Sequence, residues 1–135
     1  MPIYYKFKKK VIEDALLTSN VKLVFLKNSY IPDLTHQFKS DLGNNEIVDS
    51  GYPAGGIAIG GKIVNQVGSK IYFDGNDLSI TIAGNVSTKY AALYIDTGTP
   101  STSPLIAFYE FDPERVTVNS SLTFKVNDLG FLEFF

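Results

Sequence analysis

The sequence predicts a mainly β domain, a β-sandwich or strongly curved antiparallel sheet, with one N-terminal helix and one short helix. Three observations predict it. Seven or so short runs rich in β-branched and large apolar residues follow one another at near-regular spacing from Val21 onward, separated by turn residues. Helical spacing of apolar residues is convincing only near the N-terminus. Ten Phe and eight Tyr, with no Trp, supply the bulk for a core between layers. Residues 1–135 read as a single domain, a length that buries roughly two-thirds of the unfolded surface without disulfide or metal staples.

Residues 8–19 form the predicted helix, with Val11, Ile12, Ala15 and Leu16 on one face and Asn20 able to end it in a left-handed conformation. Val21 to Leu26 is a buried strand, stopped by Pro32. Asp33 or Thr35 can cap a short helix over His36 to Leu42, and Gly43 stands where a helix C-terminus favours glycine. Gly51-Tyr52-Pro53-Ala54-Gly55-Gly56 is a loop by composition. Strands then run over 62–67, 70–73 and 78–83, with Asp74-Gly75-Asn76-Asp77 as a hairpin turn between the last two. Tyr90 to Ile95 and Leu105 to Phe111 form a hairpin around the Thr/Ser/Gly/Pro-rich loop 96–103. Val116 to Val118, Leu122 to Val126 and Phe131 to Phe135 complete the strands, the last after a turn at Asn127-Asp128-Leu129-Gly130. Phe135, on an apolar strand, is expected to be docked on the domain or to cover a neighbouring subunit.

Composition narrows the function classes. The chain has no cysteine, which removes disulfides, zinc ribbons and thiol catalysis. Its net charge is −2 and its pI near 5.3, unlike the basic surface of a nucleic-acid binder. The basic cluster Lys6, Lys8, Lys9 and Lys10 reads as a solvated helix start. No apolar run approaches the roughly 20 residues of a membrane span, and Met1-Pro2-Ile3-Tyr4-Tyr5 does not resemble a signal peptide.

Motifs of chemistry are incomplete. Gly56-Ile57-Ala58-Ile59-Gly60-Gly61-Lys62 matches the start of a phosphate-binding loop. Ile63 stands where the magnesium-binding Ser or Thr belongs, however, and a strand follows instead of a helix, so a flexible glycine-rich loop is the better reading. His36 has no second His or Cys with which to share a metal, and no Gly-x-Ser-x-Gly elbow presents a nucleophile to it. Asp74, Asn76 and Asp77 lack the spacing of a calcium loop, and Asp112 and Glu114 offer only two more carboxylates. Nothing places two acids across a cleft for glycoside hydrolysis. Tyr52, Tyr72, Tyr90, Tyr94 and Tyr109 are candidates for a sugar-stacking surface, against the plainer reading of half-buried sheet residues. Asn85-Val86-Ser87 and Asn119-Ser120-Ser121 fit the glycosylation pattern, which matters only on a eukaryotic secretory route. The expectation is no enzyme, no catalytic residue, no metal and no cofactor.

The order of several pieces carries a resemblance. They are Ser29-Tyr30-Ile31-Pro32-Asp33 with Thr35-His36, Gly51-Tyr52 with Ala54-Gly55-Gly56, Tyr90-Ala91-Ala92-Leu93-Tyr94-Ile95-Asp96-Thr97-Gly98, and Ser103-Pro104-Leu105-Ile106. Across residues 21–126 the chain resembles a family of small proteins encoded among the virion genes of tailed bacteriophages. It departs from that pattern at Pro53 and in lacking a Trp near Leu78 to Ile82. The resemblance implies a virion structural protein made in the bacterial cytoplasm. The first expectation is a capsid decoration or cement protein that partners the major capsid protein or other virion proteins. It would be a homo-oligomer without nucleic acid or membrane. Alternatives are a neck, tail or fibre component, or a carbohydrate-binding module for host attachment. Expected contact residues are Tyr4, Tyr5 and Phe7 in the N-terminal segment, Tyr52 and Pro53 in the glycine-rich loop, Thr97, Thr99 and Pro100 in the 96–103 loop, and Phe131, Phe134 and Phe135 at the end.

Overall fold

The structure, a computed structural model, describes residues 2–126 and 130–134. It is mainly β, with antiparallel sheets, one α-helix and two short 3-10 turns. The helix α1 covers Tyr5–Leu16, and the strands are β1 (Val21–Leu26), β2 (Ile57–Ala58), β3 (Ile63–Val67), β4 (Lys70–Asp74), β5 (Leu78–Thr81), β6 (Asn85–Ile95), β7 (Leu105–Val118), β8 (Ser121–Phe124) and β9 (Leu132–Phe134). A four-stranded sheet runs β2-β1-β6-β7, a three-stranded one β3-β4-β9, and β5 pairs with β8.

The sequence Val21-Lys22-Leu23-Val24-Phe25-Leu26 lacks alternation because both faces of β1 are covered. Val21, Leu23 and Phe25 point into the main core with Ala91 and Leu93 of β6. Val24 and Leu26 point the other way, into a second cluster with Tyr90, Ala92, Tyr94, Tyr30 and Leu42. The period of two thus sorts one strand between two cores. In the main core Phe25 meets Phe111 (centroids 6.3 Å apart) and Tyr52 (6.4 Å), while Phe124 stacks on Phe131 at 5.7 Å.

Several boundaries differ from the sequence expectation. The helix starts at Tyr5 and ends at Leu16, where the Thr18 and Ser19 hydroxyls donate to the carbonyls of Asp14 and Ala15. Asn20 therefore does not end it, and its φ is not positive. The short helix over 36–42 shrinks to a 3-10 turn at Lys39–Leu42, held by the Asp41 carboxylate accepting from the Gln37 and Phe38 N–H groups at 2.8 and 2.9 Å. Asp33 caps only its own turn, through Thr35. Asp74 to Asp77 is no hairpin: β4 pairs with β3 and β9, whereas β5 pairs with β8, so these residues carry the chain between sheets. β7 runs on through Asp112-Pro113-Glu114, because an edge strand tolerates a residue without N–H. The register jumps from Thr88↔Arg115 to Tyr90↔Glu110, so Phe111 to Glu114 bulge opposite Lys89. The expected turn at 127–130 lies mostly outside the described residues, as does Phe135.

Candidate docking surface

Helix α1 lies against β3 and β4 and gives the main core Leu16, with Ile12 packed beside it. At 100° per residue Phe7 lies opposite that face, and Tyr4 (the N-cap), Val11 and Ala15 lie beside it, together a 4-7-11-15 stripe. All four are exposed: Tyr4 by 88%, Phe7 by 59% and Val11 by 48%, with Ala15 also open. Val11 and Ala15 were expected on the core side of the helix. The structure instead uses Ile12 and Leu16 inward and leaves those two outward. Ile3 and Tyr5 extend the apolar area and, with Pro2, line a shallow hollow of about 560 Å³. The helix therefore has two apolar stripes, one seated on its own sheet and one facing solvent.

One flank of the outer stripe is charged, with Lys6 and Lys10 towards the N-terminal end and Glu13 and Asp14 towards the C-terminal end. Lys10 reaches Asp14 within the helix at 2.9 Å, a mostly exposed pair of small energetic weight. Lys6, Lys9 and Glu13 form no ion pair among the described residues.

The remaining expected contact residues separate into three groups. Pro53, Thr97, Thr99 and Pro100 are exposed. Loop 96–103 is ordered by its own hydroxyls: Thr97 Oγ1 lies 2.6 Å from Thr102 Oγ1, and Ser103 Oγ donates to the Thr99 carbonyl at 2.9 Å. Tyr52 and Phe131 are buried core residues, with the Tyr52 hydroxyl accepting from the Phe25 N–H at 3.3 Å, and Phe134 is partly buried. Tyr52 and Phe131 lie in the domain interior, and Phe134 packs against it with part of its ring open. An aromatic beside glycines, or near the end of a strand run, looks the same in sequence whether it faces in, as Tyr52 and Phe131 do, or out.

The tyrosine surface also dissolves. Tyr52, Tyr90 and Tyr94 are buried, and Tyr109 sends its hydroxyl to the Phe131 carbonyl while its ring packs on Phe124. Burial pushes the Tyr109 and Tyr52 phenols well up from their usual range. It also pushes Tyr94 up to about 12, with help from the charges of Asp96 and Glu46. Tyr72 and Tyr109 remain partly exposed, Tyr72 with its hydroxyl donating to the Glu133 carboxylate at 3.3 Å.

Chemistry-bearing side chains are dispersed. Among the described residues no three His, Asp or Glu converge as metal ligands, and every buried side-chain polar atom has a hydrogen-bond partner. His36 sits in a surface bowl of about 630 Å³, its Nδ1 3.2 Å from the Tyr30 hydroxyl and its Nε2 3.9 Å from Asp33. Tyr30 is held protonated by burial, and Asp33 is held ionised by hydrogen bonds from the Thr35 hydroxyl and N–H. The three residues brace a loop. Lys62, the would-be phosphate lysine, donates to the Ser19 carbonyl, tying the glycine-rich segment to the end of α1.

No helix among the described residues is long and apolar enough to cross a membrane. No family model matches the chain, and neither a curated protein nor a solved structure matches it.

Proposed function

We propose that this protein is a non-enzymatic structural component of a bacteriophage virion, a decoration protein that docks on the capsid lattice and stabilises the head. The observation that carries the docking part is the outward stripe of α1 with its aromatic N-terminal lead-in. A domain whose described buried polar atoms are all paired nonetheless leaves Ile3, Tyr4, Tyr5, Phe7 and Val11 in water. Clustered exposed aromatics of this kind mark surfaces that bind other macromolecules. The virion setting is supported by the resemblance in the order of motifs between residues 21 and 126. In this reading the protein acts by mass action: it binds the assembled shell, stabilises that state, and performs no chemistry.

Quantitative mass spectrometry of purified particles against the major capsid protein tests the reading. Hundreds of copies per particle are expected for a lattice decoration. About a dozen or fewer would move the protein to the neck, tail or fibre, and absence from the particle would end the virion reading.

A further inference from the structure

We infer that residues 29–44 are a hinged lid, which opens as one body about a neck at Lys27 and Asn45 and bares the outer apolar face of β1 and β6. Its opening is a property of the fold, whatever the protein docks on.

The neck is closed by short bonds. The Lys27 N–H donates to the Asn45 carbonyl at 2.6 Å, the Ser29 hydroxyl donates to the Asn45 side-chain oxygen at 2.9 Å, and Leu26 bridges to Glu46 just outside. A segment of this length whose ends meet is an Ω-loop, an element packed by its own side chains. Here its own polar groups hold it in shape. The His36 N–H donates to the Asp33 carbonyl at 3.0 Å, and the Gly43 N–H to the Ser40 carbonyl at 3.2 Å. The Asp33 carboxylate takes the Thr35 N–H and hydroxyl, and the Asp41 carboxylate takes the Gln37 and Phe38 N–H groups. These bonds lie inside the lid and travel with it.

What ties the lid to the sheet is sparse. Of its residues only Tyr30 and Leu42 are buried, in the cluster with Val24, Leu26, Tyr90 and Ala92. Its exposed aliphatic side chains, Ile31 and Leu34, stand 81% and 88% in water. Among the described residues, its backbone bonds to the start of β7 are the Lys39 N–H to the Ser103 carbonyl at 2.8 Å and the Leu105 N–H to the Gln37 carbonyl at 2.9 Å, which flank the bridge between Phe38 and Pro104. The Lys39 ammonium also meets the Glu46 carboxylate at 2.8 Å, beside the neck. A cleft of about 130 Å³ already parts the lid from the sheet, between Tyr30, Leu34 and Leu42 on one side and Ala92, Leu105 and Phe108 on the other.

Burial thus repays the ordering of this segment poorly, which is the condition for opening locally while the rest of the domain stays folded. The face beneath is separate from the main core, because Val24 and Leu26 alternate along β1 with Leu23 and Phe25. Opening uncovers the one without disturbing the other.

Amide hydrogen exchange of the full chain, followed by NMR under native conditions, tests the lid. The amides of Lys39 and Leu105 report the bridge from its two sides. They should exchange through a common opening and be less protected than the amides of the β1–β6 ladder by roughly tenfold or more. Because the chain has no cysteine, the lid can be locked with Phe38→Cys and Pro104→Cys. These positions face each other between the two flanking bonds, as an antiparallel pair with Cα atoms about 4.5 Å apart and within disulfide reach. Oxidation of that variant should slow exchange at Lys39 and Leu105 by roughly tenfold, and reduction should restore it. Leu42→Ala removes an anchor of the closed lid and should speed exchange at both amides by roughly tenfold or more. Ile71→Val, in the main core on β4, weakens the open and closed forms alike. It should speed exchange of the ladder and leave Lys39 and Leu105 unchanged.

Equal protection of the lid and ladder amides in the wild type would overturn the lid, and so would Ile71→Val speeding both sets together, since either marks one cooperative unit. An oxidised lock, or a Leu42→Ala variant, that leaves exchange at Lys39 and Leu105 unchanged would overturn it as well. Different opening rates at Lys39 and Leu105 would mark two bonds fraying separately, and would overturn the common hinge.

Discussion

The Asp49 carboxylate caps the backbone of Gly84, its Oδ1 accepting that residue's N–H at 2.8 Å across 35 positions of sequence. Its Oδ2 accepts from Ala83 and from Gly51, each also at 2.8 Å. One side chain thus pins the glycine-rich loop to the start of β6. The hydrogen bonds, that from Ala83 foremost, hold the carboxyl below its usual range. Because the folded value lies below the unfolded one, the stabilisation is present above about pH 4 and is lost as pH falls through the folded value. Asp49→Asn should lower stability at neutral pH and flatten its decline between about pH 5 and pH 2, as read from urea midpoints across that range.

At the alkaline end the sign reverses. Tyr94 and Tyr52 are raised by burial, so their contribution is present below the free phenol value of about 10 and is lost as pH climbs through the folded one. Ultraviolet titration should show both ionising only above about pH 11, together with loss of the fold. Tyr94→Phe should abolish the hydrogen bond to the Gly55 carbonyl and cost about 1 kcal/mol.

Gly56 and Gly68 both have positive φ, +93° and +60°, but their surroundings differ. A Cβ on Gly56 would stand 2.2 Å from the Leu23 carbonyl oxygen and 2.8 Å from a Val24 methyl, while one on Gly68 would meet nothing within 4 Å. Gly56→Ala should therefore cost about 3 to 5 kcal/mol, from strain and overpacking together. Gly68→Ala should cost about 1 kcal/mol, from φ alone. Equal losses in chemical denaturation would contradict the close approach of loop to β1.

Thr88 is fully buried, and its hydroxyl donates to the Leu26 carbonyl at 2.6 Å. Thr88→Val keeps the shape and removes the donor. It should destabilise by about 1 to 2 kcal/mol, whereas Thr88→Ser, which retains the hydroxyl, should cost less. Guanidinium unfolding of the two variants separates the hydrogen bond from the lost methyl.

Those glycines also show where the sequence was legible. β1 was readable from end to end because six apolar or aliphatic-stemmed residues in a row between breakers suit a strand covered on both sides. The β6–β7 hairpin was readable for the same reason, with a polar loop between its strands. Gly51 to Gly61, however, looked like a flexible segment, whereas Gly56 is buried against β1. Composition reports the absence of a side chain; only tertiary contact says whether freedom or closeness is its use. The strands expected at 105–111 and 116–118 are one strand, β7, because the N–H that Pro113 lacks is needed only where it faces a neighbour, and β7 is an edge strand. On α1 the apolar count was right but its direction was not: 7-11-15 and 12-16 are equally good helical spacings, and only packing on β3 and β4 chooses between them.

The strand order has a consequence for how the chain reaches its fold. Leu23 pairs with Leu93, Ile71 with Phe134 and Ile80 with Leu122. Each sheet begun early in the sequence is thus completed by a strand that leaves the ribosome much later. Until β6 emerges, β1 has only the two-residue β2 beside it, and most of its Val21-Lys22-Leu23-Val24-Phe25-Leu26 run is a sticky edge for any nascent neighbour. Folding is therefore expected to lag behind synthesis and to run slowly for a domain of this size, since pairings so distant along the chain must close large loops before they are rewarded.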